Sequence, residues 1–275
     1  MLSEQSPIRL GFTRGISPSK WAQRWKRAVP ERALELIPFE RPYGLATRGD
    51  AATADMQLAR YAPGERPAQM DDHGNRTHHA ILLYEESIAL VLPHDHELAE
   101  QTEIHEGDLA LITIIDHPNH APGWPAAKPW ENPEWKPKHL PAALELVATG
   151  AGGLLAPLPL ARHLSNKRDH ALLQLVSDAP IAGTTIWAVW GVDRDSPYLQ
   201  QLAGIMRGRT ANSSRRLRED ESGGTVKREP EQKFRQPQAK KKQPLKPNSR
   251  GAQLAAAREK AERAKAAKRK AKKRR

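Results

Sequence analysis

The sequence contains no cysteine, which excludes disulfide bonds, thiol nucleophiles and thiolate metal sites. A chain without cysteine fits a reducing compartment. No run of 18 apolar residues occurs, and Ser3, Glu4 and Arg9 interrupt the first twenty residues, where the apolar core of a secretory leader would lie. These absences predict a soluble, cytoplasmic protein that has no membrane partner.

The common catalytic motifs are also missing. The sequence has no Gly-x-Ser-x-Gly turn, no His-Glu-x-x-His zinc motif and no Walker loop, and Gly150-Ala151-Gly152-Gly153 lacks the third glycine of a dinucleotide turn. His94 and His96 have no third ligand nearby, and the polar segment 71–79 is typical of a solvated loop rather than a metal site. We therefore predict that the protein is not an enzyme and has no catalytic residue, metal or cofactor.

Charge divides the chain into two different parts. Residues 207–275 contain 25 Lys or Arg and 7 Asp or Glu, a net charge of +18, whereas residues 1–206 contain 19 basic and 25 acidic residues, a net charge of −6. All seven Trp and all four Tyr lie before residue 200, and the basic part has one aromatic residue, Phe234. A segment with so few apolar residues cannot build a core of its own. The folded domain is therefore expected in the first part.

The basic tail changes composition at about residue 250. Residues 209–250 mix Ser, Gly, Gln, Pro and Lys, as a disordered linker does, and residues 251–275 are rich in the helix formers Ala, Lys and Arg without an apolar stripe. Dense positive charge without base-stacking aromatic residues predicts contact with nucleic-acid phosphates at little sequence preference. The residues predicted to make this contact are Lys240, Lys241, Lys242, Lys268, Arg269, Lys270, Lys272, Lys273, Arg274 and Arg275. A solubilising tail and an anionic membrane surface are the alternatives, and the second is disfavoured because the tail lacks apolar anchors.

The first sixty residues have the pattern of a β-α-β unit. Ile8 to Phe12, Leu34 to Phe39 and Asp55 to Arg60 have the composition of strands. Between the first two, Ser17 suits the capping position of a helix and Pro18 its first helical position. A strand that leads directly into a helix N-terminus is therefore predicted.

The α/β alternation restarts in the second third of the chain. Two apolar runs, Ile81 to Tyr84 and Ile88 to Leu92, predict two consecutive buried strands with a polar joint between them. Leu111 to Ile115 predicts a strand that is buried on both faces, and residues 116–140 form a loop too long for a bare connector. Three Trp side chains of this loop could cover a ligand, form an oligomer surface or pack the loop itself: Trp124, Trp130 and Trp135.

Four segments share their order and spacing with a known protein family. They are Arg9-Leu10-Gly11-Phe12 before the predicted helix, Leu83-Tyr84-Glu85-Glu86 with Leu90-Val91-Leu92-Pro93-His94-Asp95-His96-Glu97-Leu98-Ala99, Asp108-Leu109-Ala110 before an apolar run, and Leu144-Glu145-Leu146-Val147-Ala148-Thr149-Gly150-Ala151-Gly152 with Leu155-Ala156-Pro157. In this order they resemble the effector-binding domain of LysR-type transcriptional regulators. The resemblance spans about residues 8–208.

The resemblance implies an α/β domain with the fold of type 2 periplasmic binding proteins, in which two Rossmann-like lobes are joined by two crossing segments. The chain would cross near Tyr84–Ser87 and return near Ile181–Thr185. Residues 6–84 and 183–208 would then form lobe I, and residues 85–182 lobe II. The domain could also form a homodimer.

The same resemblance places a ligand site between the lobes, where a small and usually anionic effector binds in that family. On lobe I, Gly15, Ile16 and Ser17 match the first ligand-contacting turn, and Ser17 and Ser19 lie at a helix N-terminus, which attracts a carboxylate or phosphate. On lobe II, the resemblance implies two pairs of ligand-contacting residues: Asp116 with His117, and Thr149 with Gly150.

Two features depart from the family pattern. The resemblance starts at the first predicted strand, so we expect this chain to lack the winged helix-turn-helix and the linker helix of the family. The helix expected around residues 43–54 is shortened, and the loop at 62–79 is enlarged. The function implied is a sensing module, linked to transcriptional regulation, that closes on an anionic effector. The alternative is a nucleic-acid-associated protein that acts through its basic tail and has a vestigial cleft.

Overall fold

The computed structural model describes residues 6–208, and the predicted linker and basic tail lie outside these residues. Two mixed β-sheets, each with its own helices, account for the described chain. Elements of the first sheet are β1 (Ile8–Thr13), α1 (Ser19–Ala28), β2 (Leu34–Phe39), β3 (Met56–Tyr61), β4 (His78–Glu85), β9 (Thr185–Gly191) and α4 (Pro197–Met206). Elements of the second are β5 (Ile88–Pro93), β6 (Glu103–His105), α2 (Leu140–Ala148), β7 (Leu154–Pro157), α3 (Leu158–Leu164) and β8 (His170–Val176). No helix within residues 6–208 is both long and apolar enough to cross a bilayer.

The first sheet contains the β-α-β unit predicted from the sequence. Its strand order is β2-β1-β3-β9-β4, with β1 parallel to β2 and β3, and β9 antiparallel to β3 and β4. Leu10, Leu58 and Ile186 of the central strands pack in one buried cluster with Trp25 of α1 and Leu202 of α4. This core fixes α1 on the sheet and so determines where its first turn lies.

The second sheet has the strand order β6-β8-β5-β7, in which β5 is antiparallel to both of its neighbours. All six residues of β5 are buried, as predicted. Ala89 and Val91 pack in a cluster with residues of α2 and α3, whereas Leu90 and Leu92 pack in a second cluster that includes Trp124. Because both faces are covered, the strand is apolar throughout rather than alternating.

The chain passes between the two sheets twice. Residues 86–87 connect β4 of the first sheet to β5 of the second, and residues 177–184 connect β8 back to β9. The predicted α/β fold with two lobes and two crossing segments is confirmed. We propose the lobe boundaries given above, 6–84 with 183–208 and 85–182, for the two units.

The two crossing segments lie against each other. The backbone N–H of Glu86 donates to the carbonyl oxygen of Thr184 at 2.8 Å, and the N–H of Gly183 donates to Oε1 of Glu85 at 2.6 Å. A Cβ atom at residue 183 would collide with the carbonyl oxygen of Glu86, so glycine is required there. The two crossing segments are thus hydrogen-bonded to each other and are not independent linkers.

The predicted capping of α1 by Ser17 is wrong. Pro18 occupies the cap position, its carbonyl oxygen accepts the first helical hydrogen bond from the N–H of Ala22 at 2.9 Å, and no side chain caps this end. The hydroxyl of Ser17 lies 3.4 Å from that of Ser19 instead. The helix therefore begins one residue later than the Ser-Pro pattern indicates.

Two predictions of buried strands also need correction. Leu111 ends a 3₁₀ turn and is 88% exposed, while Ile114 and Ile115 are buried but form only isolated bridges, so this apolar run is divided between surface and core. The apolar run Ile81 to Tyr84 lies in β4, which is an edge strand of the described sheet, paired there with β9 alone, and Leu82 is 50% exposed. Apolar composition alone cannot distinguish an edge strand from a central one.

Candidate functional site

The turn after β1 brings the two lobes into contact. Gly15 has a φ angle of +81°, in the left-handed region that favours glycine. A Cβ atom at this position would lie 2.8 Å from the Cα atom of Leu160 in α3. Glycine is therefore needed both for the backbone conformation and for the close approach. The turn of lobe I is seated directly on the backbone of α3 in lobe II.

An open groove of about 490 Å³ lies along this contact, and we call it the interlobe groove. Its walls come from the turn and first residues of α1, from β1 and β2, and from α3. The lining residues are Phe12, Gly15, Ile16, Ser17, Pro18, Ser19, Leu36, Pro159, Arg162 and His163. The structure thus brings together all four lobe I residues predicted as ligand contacts.

The polar groups of the interlobe groove suit an anion. Ser17 and Ser19 are exposed at the N-terminus of α1, where the first backbone N–H groups have no intrahelical acceptor. Arg162 is exposed on the opposite wall, and its guanidinium forms no hydrogen bond or ion pair with another residue of the described chain. A helix N-terminus and an unpaired guanidinium are two features that attract a carboxylate or phosphate.

Sequence reasoning missed the lobe II wall of this groove. Pro159, Arg162 and His163 lie on one face of α3, at positions i, i+3 and i+4. Nothing in this spacing distinguishes them from residues on the surface of any other helix. They face lobe I only because the turn at Gly15 contacts α3, and that contact is a property of the tertiary structure.

Asp116 and His117, predicted to face the ligand from lobe II, do not line the interlobe groove. Asp116 forms an ion pair with Lys136 at 2.7 Å. His117 is 1% exposed, and its Nε2 lies 2.8 Å from the carbonyl oxygen of Leu155. Burial lowers the pKa of His117 to about 4, so the imidazole is neutral at physiological pH. Ligand contact by these two residues stays a prediction.

Thr149 and Gly150 lie at the C-terminal end of α2 and do not line the interlobe groove either. The hydroxyl of Thr149 donates to the carbonyl oxygen of Leu146 at 2.8 Å, and Gly150 ends the helix with a φ angle of +84°. Helix termination accounts for this arrangement. Ligand contact by this pair also stays a prediction.

The loop that follows His117 is tied to the second crossing segment. The rings of His120 and Trp124 meet edge to face at 5.8 Å, and Nε1 of Trp124 donates to the carbonyl oxygen of Ala182 at 3.0 Å. Burial lowers the pKa of His120 as well. Within residues 6–208, no group of three or more His, Asp or Glu side chains is placed to hold a metal ion. Trp124 therefore packs the loop, which is one of the three roles considered for it.

A buried ion pair lies where the crossing segments meet lobe I. The side chains of Arg60 in β3 and Glu86 are both 0% exposed, with 2.5 Å between Nε and Oε2 and 3.0 Å between Nη2 and Oε1. The hydroxyl of Thr184 donates to Oε2 of Glu86 at 2.7 Å. Bidentate pairing and the added hydroxyl offset the cost of removing both charges from water. One carboxylate thereby joins the two crossing segments to β3.

Arg60 also reaches the turn that lines the interlobe groove. Its Nη1 donates to the carbonyl oxygens of Arg14 and Pro42, both at 3.0 Å. Arg14 directly precedes Gly15, so the guanidinium holds the groove turn and the crossing segments in one hydrogen-bond network. Glu86 lies in the polar joint between two predicted strands and Arg60 ends another predicted strand, and nothing in these two local patterns indicated their pairing.

Tyr43, which follows β2, makes an apolar contact with lobe II. Its ring packs against the cluster formed by α2, α3 and β7, and the guanidinium carbon of Arg60 lies 6.0 Å from the ring centroid. The hydroxyl of Tyr43 is buried and has no hydrogen-bond partner among the described residues. Burial raises the pKa of this hydroxyl, which therefore stays protonated. The lobes are thus held together by side-chain packing in addition to the two crossing segments.

Comparison with known proteins agrees with this architecture. The family model described as the LysR substrate binding domain matches residues 70–211. A solved OxyR mutant from Corynebacterium glutamicum with bound hydrogen peroxide matches with a TM-score of 0.50 at 15% identity, over 74% of this chain and 65% of that chain. The BenM effector binding domain with benzoate matches with a TM-score of 0.47 at 19% identity, over 74% and 92% of the two chains. The reduced OxyR regulatory domain from Pseudomonas aeruginosa gives 0.47 at 16% identity, over 74% and 96%.

The extent of these matches differs among the comparisons. This chain spans less than two thirds of the Corynebacterium glutamicum chains that it matches, 64% and 65%. No curated protein matches the sequence significantly. The family model nevertheless covers more than half of the 275 residues, and the OxyR match shows the same fold. The resemblance found in the sequence is confirmed: the chain belongs to the LysR substrate binding domain family.

Proposed function

We propose that this domain is a LysR-type effector-binding module that senses a small anionic ligand in the interlobe groove and serves transcriptional regulation. Membership of the LysR substrate binding domain family makes ligand binding the expected role of the fold. The single observation that carries the proposal is the placement of Arg162, without a partner, across the groove from the uncapped N-terminus of α1.

An anion in the interlobe groove would be held from both lobes. The first N–H groups of α1, a helix of ten residues, carry partial positive charge, and Ser17 and Ser19 add hydroxyl donors. Arg162 adds a full charge and a planar pair of donors that matches a carboxylate or phosphate. Because these contacts come from opposite walls, the ligand would favour the arrangement with the lobes close together.

The proposed activity is binding rather than catalysis, and it requires no cofactor. The interlobe groove contains the hydroxyls of Ser17 and Ser19 and the imidazole of His163, but within the described residues the serine hydroxyls are paired with each other and neither is hydrogen-bonded to His163. The signal would pass to a partner, such as a second copy of the chain, or to nucleic acid held by the tail. The tail proposal rests on the net charge of +18 in residues 207–275, most of which lie outside the described part.

Thermal unfolding of the full chain with a panel of small carboxylates and phosphates tests the groove. We expect at least one of these anions to raise the Tm in proportion to the logarithm of its concentration. Arg162→Gln should weaken binding of that anion about tenfold, because it removes a charged hydrogen-bond donor. Ser17→Ala should also weaken binding yet leave the Tm of the free protein unchanged, because Ser17 does not cap α1.

Arg168→Gln is the matched control for Arg162→Gln. Arg168 is exposed, lies six residues further along the chain and does not line the interlobe groove. The substitution removes the same charge, and binding should be unaffected. An equal loss of affinity in both variants would show that only the net charge matters, and the absence of any Tm increase with the whole panel would refute the groove as an anion site.

A further inference from the structure

A second cavity lies within lobe II, under the long Pro- and Trp-rich loop. Its volume is about 270 Å³, just below the range of about 300–1,000 Å³ usual for drug-sized ligands, so it suits a molecule with a single ring system. No residue that lines it also lines the interlobe groove. We call it the tryptophan pocket, and the residues that define it are Ile114, Ile115, Lys128, Trp130, Glu131 and Trp135.

The floor of the tryptophan pocket is held by backbone hydrogen bonds. Ile114 and Ile115 are each 4% exposed. The N–H of Ile115 donates to the carbonyl oxygen of Gly153 at 2.8 Å, and the carbonyl oxygen of Ile114 accepts from the N–H of Lys128 at 2.8 Å. Backbone hydrogen bonds therefore hold Gly153 on one side of the floor and Lys128 on the other, so the cavity forms without a ligand.

Two indole rings form the apolar wall. Nε1 of Trp130 donates to the carbonyl oxygen of Asp116 at 2.9 Å, which fixes this ring. Trp135 ends a short 3₁₀ turn that Asn132 caps, yet its side chain is 61% exposed. A large aromatic side chain left uncovered beside a preformed cavity indicates a surface that a ligand would cover. Aromatic ligands suit it best because they gain stacking energy beyond the area that they bury.

Two opposite charges accompany the indole rings. Lys128 and Glu131 both line the tryptophan pocket and both are exposed. Neither side chain forms a hydrogen bond or an ion pair with another residue in the described range 6–208. The ammonium of Lys128 is therefore free to pair with a carboxylate, and the carboxylate of Glu131 is free to pair with an ammonium.

We propose that the tryptophan pocket binds a small zwitterionic aromatic compound, with an aromatic amino acid as the simplest example. The ring would stack on Trp130 and Trp135, the carboxylate would face Lys128, and the ammonium would face Glu131. This site is separate from the interlobe groove and would give the domain a second ligand of different chemistry.

Isothermal titration of the full chain with three related probes tests this assignment. L-phenylalanine carries the ring and both charges, 3-phenylpropionate lacks the ammonium, and 2-phenylethylamine lacks the carboxylate. Lys128→Gln should weaken binding of the first two probes about fivefold and leave the third unchanged. Glu131→Gln should weaken L-phenylalanine and 2-phenylethylamine by a similar factor and leave 3-phenylpropionate unchanged. Trp135→Ala should weaken all three about tenfold.

Control variants separate this site from general effects. Lys138→Gln and Glu134→Gln remove the same charges from exposed neighbours that do not line the pocket, and Leu111→Ala shortens another exposed apolar side chain. All three should bind like the unaltered chain, and so should Arg162→Gln in the interlobe groove. Trp135 is mostly exposed, so its replacement should leave the Tm unchanged and its effect on binding can be interpreted.

The proposal is overturned if L-phenylalanine gives no saturable binding at millimolar concentrations, if Trp135→Ala has no effect, or if the two charge variants affect the three probes alike.

Discussion

Replacing Glu86 by glutamine removes the negative charge of the buried ion pair and nearly preserves the volume of the side chain. Arg60 then keeps its charge with a fully buried side chain but faces a neutral amide, and with the amide oxygen in the place of Oε2 the Nη2 donor meets an NH2 group that cannot accept from it. Removing one partner of a buried ion pair costs about 3–5 kcal/mol. Glutamine retains one oxygen that can accept from Thr184, so we expect a loss of about 3 kcal/mol in the free energy of unfolding.

Two further variants show whether the charge itself is responsible. Glu85→Gln is the matched control, because Glu85 is exposed and the amide oxygen of glutamine can still accept from the N–H of Gly183; its cost should stay below about 1 kcal/mol. The double variant Arg60→Met/Glu86→Leu should be less destabilised than Glu86→Gln, because no unpaired charge remains. It still loses the donors to Arg14 and Pro42, each worth about 1 kcal/mol.

Urea unfolding followed by tryptophan fluorescence measures these free energies. The position of the lobes can be measured in the same variants, because the chain has no cysteine and a pair of spin labels at Glu31→Cys and Glu145→Cys has no competing thiol. Both positions are exposed, one on each lobe. Glu86→Gln should broaden the distribution of distances between the labels. A cost below about 1 kcal/mol, as for an exposed ion pair, together with an unchanged distribution would show that the ion pair does not hold the lobes.

Three further predictions concern the groove turn, a buried histidine and the tail. Gly15→Ala should lower the Tm more than Gly64→Ala. Both glycines have a φ angle of +81°, but only a Cβ atom at residue 15 would collide with the backbone of Leu160. Equal decreases in Tm would show that the contact between the lobes is unimportant. The pKa of His117 falls from 6.5 to about 4 on folding, so the unfolded chain binds more protons than the folded chain between these pH values. The free energy of unfolding should therefore fall by up to about 3 kcal/mol as the pH is lowered through this window. The His117→Phe variant should lack this contribution, as urea unfolding at a series of pH values would show. Replacing Lys240, Lys241 and Lys242 by alanine should reduce the slope of log affinity for duplex DNA against log salt by about 2 to 3, and an unchanged slope would exclude them from phosphate contact.

The elements that the sequence predicted well are those in which one physical cause determines the pattern. β5 is apolar at every position because packing covers both of its faces, and the length of the run distinguishes it from a helix. Ser196 and Pro197 mark the start of α4, and there the hydroxyl does cap the helix, accepting from the N–H of Leu199 at 3.3 Å. The same Ser-Pro pair at Ser17 and Pro18 does not cap α1. A capping pattern therefore identifies a serine that is able to cap a helix, but it does not establish that the serine does so.

The candidate site was only half predictable for a related reason. Ser17 and Ser19 could be identified because a helix N-terminus is a local feature with its own electrostatics. Arg162 could not, because its role depends on where α3 lies relative to lobe I. The pairing of Arg60 with Glu86 joins residues 26 positions apart. The only signal in the sequence was that each charged residue lies next to apolar residues, where a charge needs a partner.

A crystal structure of the full chain with the anion that raises its Tm most would test the central claim directly. We predict density for the anion in the interlobe groove, with its oxygen atoms within hydrogen-bond distance of the first N–H groups of α1 and of the guanidinium of Arg162. Density at any other position, or a groove that stays empty at saturating anion, would contradict the account.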